Sequence, residues 1–313
     1  MKKLIASLLF LLCVSLFAQI RVGVLTGPSC IPAAHLLESV VSINDTDLTY
    51  ESFANPNQLL PKMLKDEIDI AFLPPNVAAK VYNTSGGKIL CAAVTGYGNL
   101  SIITNDQTVT CLEDLKGKTF NVAGAGATPE YMLRYILSKK GIKADSPEGI
   151  TLDFSIPTQQ LVPLLLSGKI SYALLPEPFV SLAQLKNQDI NVCCNIQNEY
   201  AKLEGKNAVY PLTVMVVSKK FAEENTSSLN KFLLEYKESL SWTLENPVEA
   251  GILCEELQLG LNKEIVTASI PKANYVYLPA KKAKKALEKL FTIFLQNDDG
   301  SIGGKLPDSA FYY

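Results

Sequence analysis

Residues 163–179 read Pro163-Leu-Leu-Leu-Ser-Gly-Lys-Ile-Ser-Tyr-Ala-Leu-Leu-Pro-Glu-Pro-Phe179, and a diverged copy stands earlier as Pro61-Lys-Met-Leu-Lys-Asp-Glu-Ile-Asp-Ile-Ala-Phe-Leu-Pro-Pro-Asn-Val77. At a constant offset of 102 (163 − 61), seven of 21 positions across 59–79 and 161–181 are identical: Leu59/Leu161, Pro61/Pro163, Leu64/Leu166, Ile68/Ile170, Ala71/Ala173, Leu73/Leu175 and Pro74/Pro176. Unrelated segments would share about one or two, so the pair marks an internal duplication. Each copy reads as a short helix, a polar turn, a mostly apolar run and prolines that open another helix, which is the second half of a strand–helix–strand unit.

The duplication extends upstream. Leu48–Phe53 matches Ile150–Ser155 as the preceding strand, and at an offset of 97 Gly27, Pro32 and Leu36 align with Gly124, Pro129 and Leu133. The repeated unit therefore covers residues 20–80 and again 117–182, and predicts two α/β lobes with a cleft between them. Leu100–Thr104 reads as an extended segment crossing to the second lobe, and Tyr210–Ser218 as the return crossing. The remainder reads as helices over 221–224, 227–245, 248–259 and 279–296. This predicts a discontinuous first lobe, 19–104 plus 212–313, with a second lobe, 105–211, inserted between.

The chain has 313 residues, 48% hydrophobic and 19% charged, enough for two medium α/β domains with adequate cores. Its formal charge of −2 gives no reason to expect nucleic acid. The start, Met1-Lys-Lys3 followed by an apolar run over Leu4–Phe17 and Ala18-Gln19, reads as a secretory signal peptide over 1–18. It is too short for a comfortable membrane span. Lipid acylation of Cys13 is the alternative, disfavoured by Leu12 before it and Val-Ser-Leu-Phe after it. The later cysteines have no metal or redox spacing, and no metal or cofactor is expected. Cys193-Cys194 reads as small apolar residues ending a strand rather than a vicinal disulfide. Trp242 reads as a packing residue rather than a ligand contact.

Small ligands bind open α/β sheets at loops that follow a strand's C-terminal end and lead into a helix, where backbone N–H groups are free. Two stretches fit, Gly27-Pro28-Ser29 after the first strand and Gly124-Ala125-Gly126-Ala127-Thr128 before a helix opened by Pro129 and Glu130, and Thr95-Gly96-Tyr97 reads as the loop at the end of the strand Ile89–Val94. The Gly124–Gly126 spacing lacks the third glycine and the acidic residue of a dinucleotide fingerprint. Pro28 removes one backbone donor and so weakens its loop as an anion grip.

The leader, the duplicated lobes, Gly124–Glu130, Leu175–Phe179, Trp242 followed by Asn246-Pro247, and the ending Gly303–Tyr313 together resemble the substrate-binding proteins of ABC importers. The branch they are similar to is the nitrate/sulfonate/taurine and thiamine-precursor one, and the resemblance covers nearly all of the chain after the leader. It implies a type II periplasmic-binding fold, capture of a small molecule between two lobes, delivery to an inner-membrane permease, a monomer and no catalysis. Carried over residue by residue, the contacting loops would be Gly27–Ser29, Leu73-Pro74-Pro-Asn76, Thr95–Tyr97, Gly124–Thr128 and Glu177 in Leu-Pro-Glu-Pro. These loops hold no Lys or Arg, while Glu130 and Glu177 add negative charge, Tyr97 a stacking face and Asn76 an amide; Glu177 also fits a purely structural Pro-Glu-Pro turn. An enzyme on the same fold, of the pyrimidine-synthase or menaquinone-pathway kind, is the rival. The first of these would need a histidine, and the only one, His35, sits among Ala34, Leu36 and Leu37. The loop charges favour a neutral or cationic heterocycle, such as a pyrimidine or a thiamine- or flavin-like compound, over nitrate, sulfonate or taurine.

Overall fold

The structure is a computed structural model that describes residues 19–313; the leader expected over 1–18, with Cys13, lies outside the described residues. In chain order the first repeat is β1 (Gln19–Leu25), a 3-10 turn Pro28–Ala33, α1 (Ala34–Ser39), β2 (Ser42–Ile43), β3 (Thr46–Phe53), α2 (Pro56–Leu64), β4 (Ile70–Leu73) and α3 (Pro75–Ser85). β5 (Ile89–Tyr97) and β6 (Leu100–Thr104) lead to the second repeat: β7 (Thr119–Val122), α4 (Thr128–Lys139), β8 (Thr151–Asp153), α5 (Thr158–Leu166), β9 (Tyr172–Pro176) and α6 (Phe179–Lys186). Then follow β10 (Asn191–Asn195), α7 (Ile196–Glu204), β11 (Pro211–Ser218), α8 (Lys219–Glu224), α9 (Thr226–Glu245), α10 (Pro247–Glu256), α11 (Lys263–Ser269), β12 (Tyr275–Pro279) and α12 (Ala280–Asn297).

The strands form two mixed sheets, a seven-stranded one in the order β12-β5-β11-β4-β1-β3-β2 and a five-stranded one in the order β10-β6-β9-β7-β8. The duplication is visible in the pairing. β1 lies parallel between β4 and β3, and β7 lies parallel between β9 and β8. α2 and α5 even share their bounds at the offset of 102, Pro56–Leu64 against Thr158–Leu166. Parallel strands covered on both faces read as continuous apolar runs, and Ile70–Leu73 and Tyr172–Leu175 are buried throughout.

Three expectations are corrected. Thr95–Tyr97 is not a loop: β5 runs unbroken to Tyr97, because β11 flanks it on one side and β12 on the other, with Tyr275 opposite Gly96 and the Tyr97 N–H donating to the Asn274 carbonyl at 3.0 Å. Tyr275–Pro279, within a tail expected to be helical, is that edge strand. Leu100–Thr104 is not the crossing itself, because it already pairs with β9 and β10 in the five-stranded sheet. The chain passes between sheets at Gly98–Asn99 and returns through 205–210, and the Gly98 N–H donates to the Tyr210 carbonyl at 3.0 Å. A Cβ on Gly98 would lie 2.1 Å from the ring of the buried Tyr210, so only glycine fits there.

A third connection comes from the C-terminal segment. Asn274 Nδ2 donates to the Gly98 carbonyl at 2.6 Å, and Asn99 Nδ2 to the Ala273 carbonyl at 3.2 Å. α12 covers β5 and also meets α4 of the other lobe, where Phe294 packs on Tyr131 with ring centroids 5.2 Å apart and the Tyr131 hydroxyl donates to Asp298 at 2.9 Å. The six cysteines of the described chain are free, Cys193 and Cys194 included; Cys193 Sγ donates to the Ile102 carbonyl at 3.5 Å.

Candidate ligand-binding site

The C-terminal ends of the parallel strands in both sheets open onto one cavity of about 310 Å³. On the side of the seven-stranded sheet it is lined by Leu25, Thr26, Pro28 and Ser29 after β1, Ala54–Pro56 after β3, Phe72–Pro74 at the end of β4, Gly96 and Tyr97 of β5, Leu212 and Thr213 of β11, and Ala273 and Tyr275. The other lobe contributes Leu100, Ala127–Pro129, Pro176 and Glu177, and Asn99 stands at the crossing between them.

Nine of the fourteen expected site residues are in this wall: Pro28, Ser29, Leu73, Pro74, Gly96, Tyr97, Ala127, Thr128 and Glu177. Five are elsewhere. The Gly27 N–H is used by the Leu259 carbonyl at 3.1 Å. Asn76 is buried in the first turn of α3, and Thr95 is buried within β5. Ala125 and Gly126 are exposed on the outer part of their loop. Glu130 is turned away from the cavity as well: it accepts from Gly126 N at 2.8 Å and pairs with Arg134 Nε at 2.8 Å, so its charge is answered outside the wall. The rule that picked Gly27–Ser29 would, applied to β3, have found Ala54–Pro56. Nothing local in the sequence points to Tyr275, which reaches the wall through β12.

Helix beginnings converge on the cavity, but they are poor in donors. Pro28, Pro56, Pro75 and Pro129 occupy the first two positions of the 3-10 turn, α2, α3 and α4, and each removes one N–H. Among the described residues of the wall, Glu177 is the only one with a charged side chain. It is 4% exposed; Oε2 accepts from Ser181 N at 3.1 Å and no bond to Oε1 is formed by the described residues. Burial pushes its carboxyl above the ordinary value near 4.5, against the opposing effects of the Ser181 hydrogen bonds and the Lys272 charge.

The remaining polar groups are neutral. Burial pushes the Tyr97 hydroxyl up, which keeps it a protonated donor, and the Tyr275 hydroxyl holds the Pro28 carbonyl at 2.9 Å. Asn99 Oδ1 and Thr128 Oγ1 are buried without a hydrogen-bond partner. Such orphans in a native wall call for a partner from outside the chain. His35 is stacked on Trp242, centroids 4.2 Å apart at 17°, and is not part of the wall. Trp242 is packed against the core of the larger sheet. Cys30, the cysteine nearest the first loop, is buried with its thiol pushed up to about 12, which makes it a poor nucleophile.

Two α/β lobes joined by side-by-side crossings, with a concave cavity at their facing strand ends whose polar groups other than Glu177 are neutral, define a two-lobed solute-binding protein. Residues 32–253 match the family model described as ABC transporter, phosphonate, periplasmic substrate-binding protein, and the chain belongs to that family. No curated protein matches it. Among solved structures, an ABC transporter protein from Parabacteroides distasonis is similar at 25% identity and a TM-score of 0.79, over 95% of this chain and 99% of that one. The periplasmic aliphatic sulphonate binding protein SsuA of Escherichia coli has 16% identity and a TM-score of 0.70, over 93% and 92% of the two chains. The periplasmic nitrate-binding protein NrtA of Synechocystis PCC 6803 has 12% identity and a TM-score of 0.64, over 93% and 83%. Membership makes the protein the exported, periplasmic solute-capturing component of an ABC importer, with a small-molecule ligand and a membrane permease as its partners.

Proposed function

We propose that the solute is a neutral or cationic heterocycle of the pyrimidine, thiamine or flavin kind, bound between the lobes and handed to the permease by a monomer exported through the leader at 1–18. The observation that carries this reading is Glu177, a nearly buried carboxylate with one oxygen unused, in a wall without a basic side chain. An unpaired buried charge is costly, and a ligand N–H, above all a cationic one, offsets that cost. Tyr97 and Tyr275 supply rings, and about 310 Å³ is at the small end of the range for ligand pockets. Closure follows if the ligand touches both walls, since binding energy then favours the closed arrangement.

The competing reading is an oxyanion, in keeping with the similarity to the sulphonate- and nitrate-binding proteins. The orphaned Thr128 hydroxyl at the start of α4 favours it. Each helix beginning contributes only about 0.3–1 kcal/mol to an exposed anion, prolines thin the donors, and Glu177 opposes the charge. Isothermal titration with thiamine, cytosine and riboflavin against taurine, nitrate and methylphosphonate separates the two. Binding of the ring compounds that is lost in Glu177→Gln is expected. Micromolar binding of taurine or methylphosphonate, with no heat from the rings and no effect of Glu177→Gln, overturns the proposal.

A further inference from the structure

We propose that Glu130 sets specificity from outside the cavity, by occupying as an internal anion the place at the start of α4 where an oxyanion solute would otherwise be held. This rests on the reading of the cleft as one that disfavours anions. Gly124 and Gly126 take left-handed conformations, φ 80° and 66°, the kind of turn in which successive backbone N–H groups can gather around an anion. One of them is already taken, because the Glu130 carboxylate reaches back to Gly126 N at 2.8 Å. Its other oxygen is held by Arg134 Nε at 2.8 Å, and Arg134 is anchored in turn to Asp145 at 2.9 Å.

Two residues further on, Thr128 is 1% exposed, lines the cavity and has a hydroxyl without a partner. Loop N–H groups, a buried hydroxyl and, six residues (134 − 128) further along α4, a guanidinium are among the parts of an oxyanion site. Glu130 closes it by filling the N–H, neutralising the arginine and setting a negative charge beside any arriving anion. Without Glu130, the Gly126 N–H is released, Arg134 keeps only Asp145, and the loop beside Thr128 becomes attractive to sulfate or a phosphonate.

The test titrates methylphosphonate and inorganic sulfate into the wild-type protein, Glu130→Gln and Glu130→Ala, with folding followed by circular dichroism. Glutamine keeps an acceptor for Gly126 and loses only the charge, so it separates repulsion from occupancy and guards against a poorly folded alanine variant. Both variants should gain anion affinity over wild type, about tenfold or more for alanine and less for glutamine. Folded variants that bind anions no better than a non-binding wild type overturn the role of Glu130 and leave the reading of the cleft intact. Micromolar methylphosphonate binding by the wild type overturns the reading of the cleft instead. The role of Glu130 then stands if its variants bind the anion more tightly and falls if they do not.

Discussion

The two copies of the repeat share a frame and differ at the cleft. β4-β1-β3 and β9-β7-β8 are built alike, and of the positions identical between the copies Leu59/Leu161, Ala71/Ala173 and Leu73/Leu175 are buried in the core of both, while Pro61/Pro163 are exposed on α2 and α5. One step past the shared Pro74/Pro176 the copies part. The offset of 102 sets Pro75, the first residue of α3, against Glu177, a buried carboxylate in the cavity wall. The duplication thus preserved what close packing demands and diverged where a strand end meets the ligand, which is where an α/β sheet carries function. The first copy gives the cleft a donor-poor helix start, and the second gives it charge.

The sharpest way to break this comparison is to exchange what differs. Glu177→Gln should cost a cationic ring about 2–5 kcal/mol of affinity, because a buried charged partner is removed, whereas Pro75→Ala should leave calorimetric binding within twofold. Equal losses in both variants would mean that the copies contribute alike and that Glu177 has no special part.

The next largest effect concerns what joins the copies. Gly98→Ala drives a Cβ into the ring of Tyr210, which is buried and has nowhere to swing. A loss of about 1–3 kcal/mol in urea unfolding is expected. An alanine variant as stable as wild type would show that the two crossings separate more easily than their hydrogen bond implies.

Glu177 also ties function to stability. Its folded carboxyl titrates above the ordinary value near 4.5, so its contribution to stability is fully present below the unfolded value and is lost as pH rises through the folded one. Without ligand, Glu177→Gln should therefore unfold at higher denaturant than wild type near pH 7, and the advantage should shrink towards zero below about pH 4. A variant less stable than wild type at neutral pH would assign Glu177 to the Pro-Glu-Pro turn. The smallest effect is expected at His35→Ala, which loses its stack on Trp242, about 0.5–1.5 kcal/mol, and keeps ligand binding. A folded His35→Ala protein unable to bind would return the enzyme reading.

The frame was legible in the sequence because burial on both faces leaves long apolar runs at a fixed offset, as in Ile70–Leu73 and Tyr172–Leu175. The wall was legible only where a strand end is followed at once by a helix start, as at Pro28-Ser29, Leu73-Pro74 and Ala127-Thr128. It was not legible where partners come from far along the chain. Thr95–Tyr97 carries the glycine expected of a loop, yet β12, about 180 residues later, pairs with it and holds it as strand. Tyr275 and Thr213, each opposite Gly96, enter the wall by the same long-range pairing, which local spacing does not encode. Charge was read by residue type alone, so Glu130 was counted towards the cleft although Arg134, one helical turn away, draws it aside.

Capture of an uncharged or cationic ring through Glu177 is tested by native mass spectrometry of the protein purified gently from the periplasm, beside Glu177→Gln prepared in the same way. A small heterocycle retained on the wild type and absent or strongly depleted on the variant is expected. A retained sulfonate, phosphonate or nitrate, carried equally by both proteins, would contradict it.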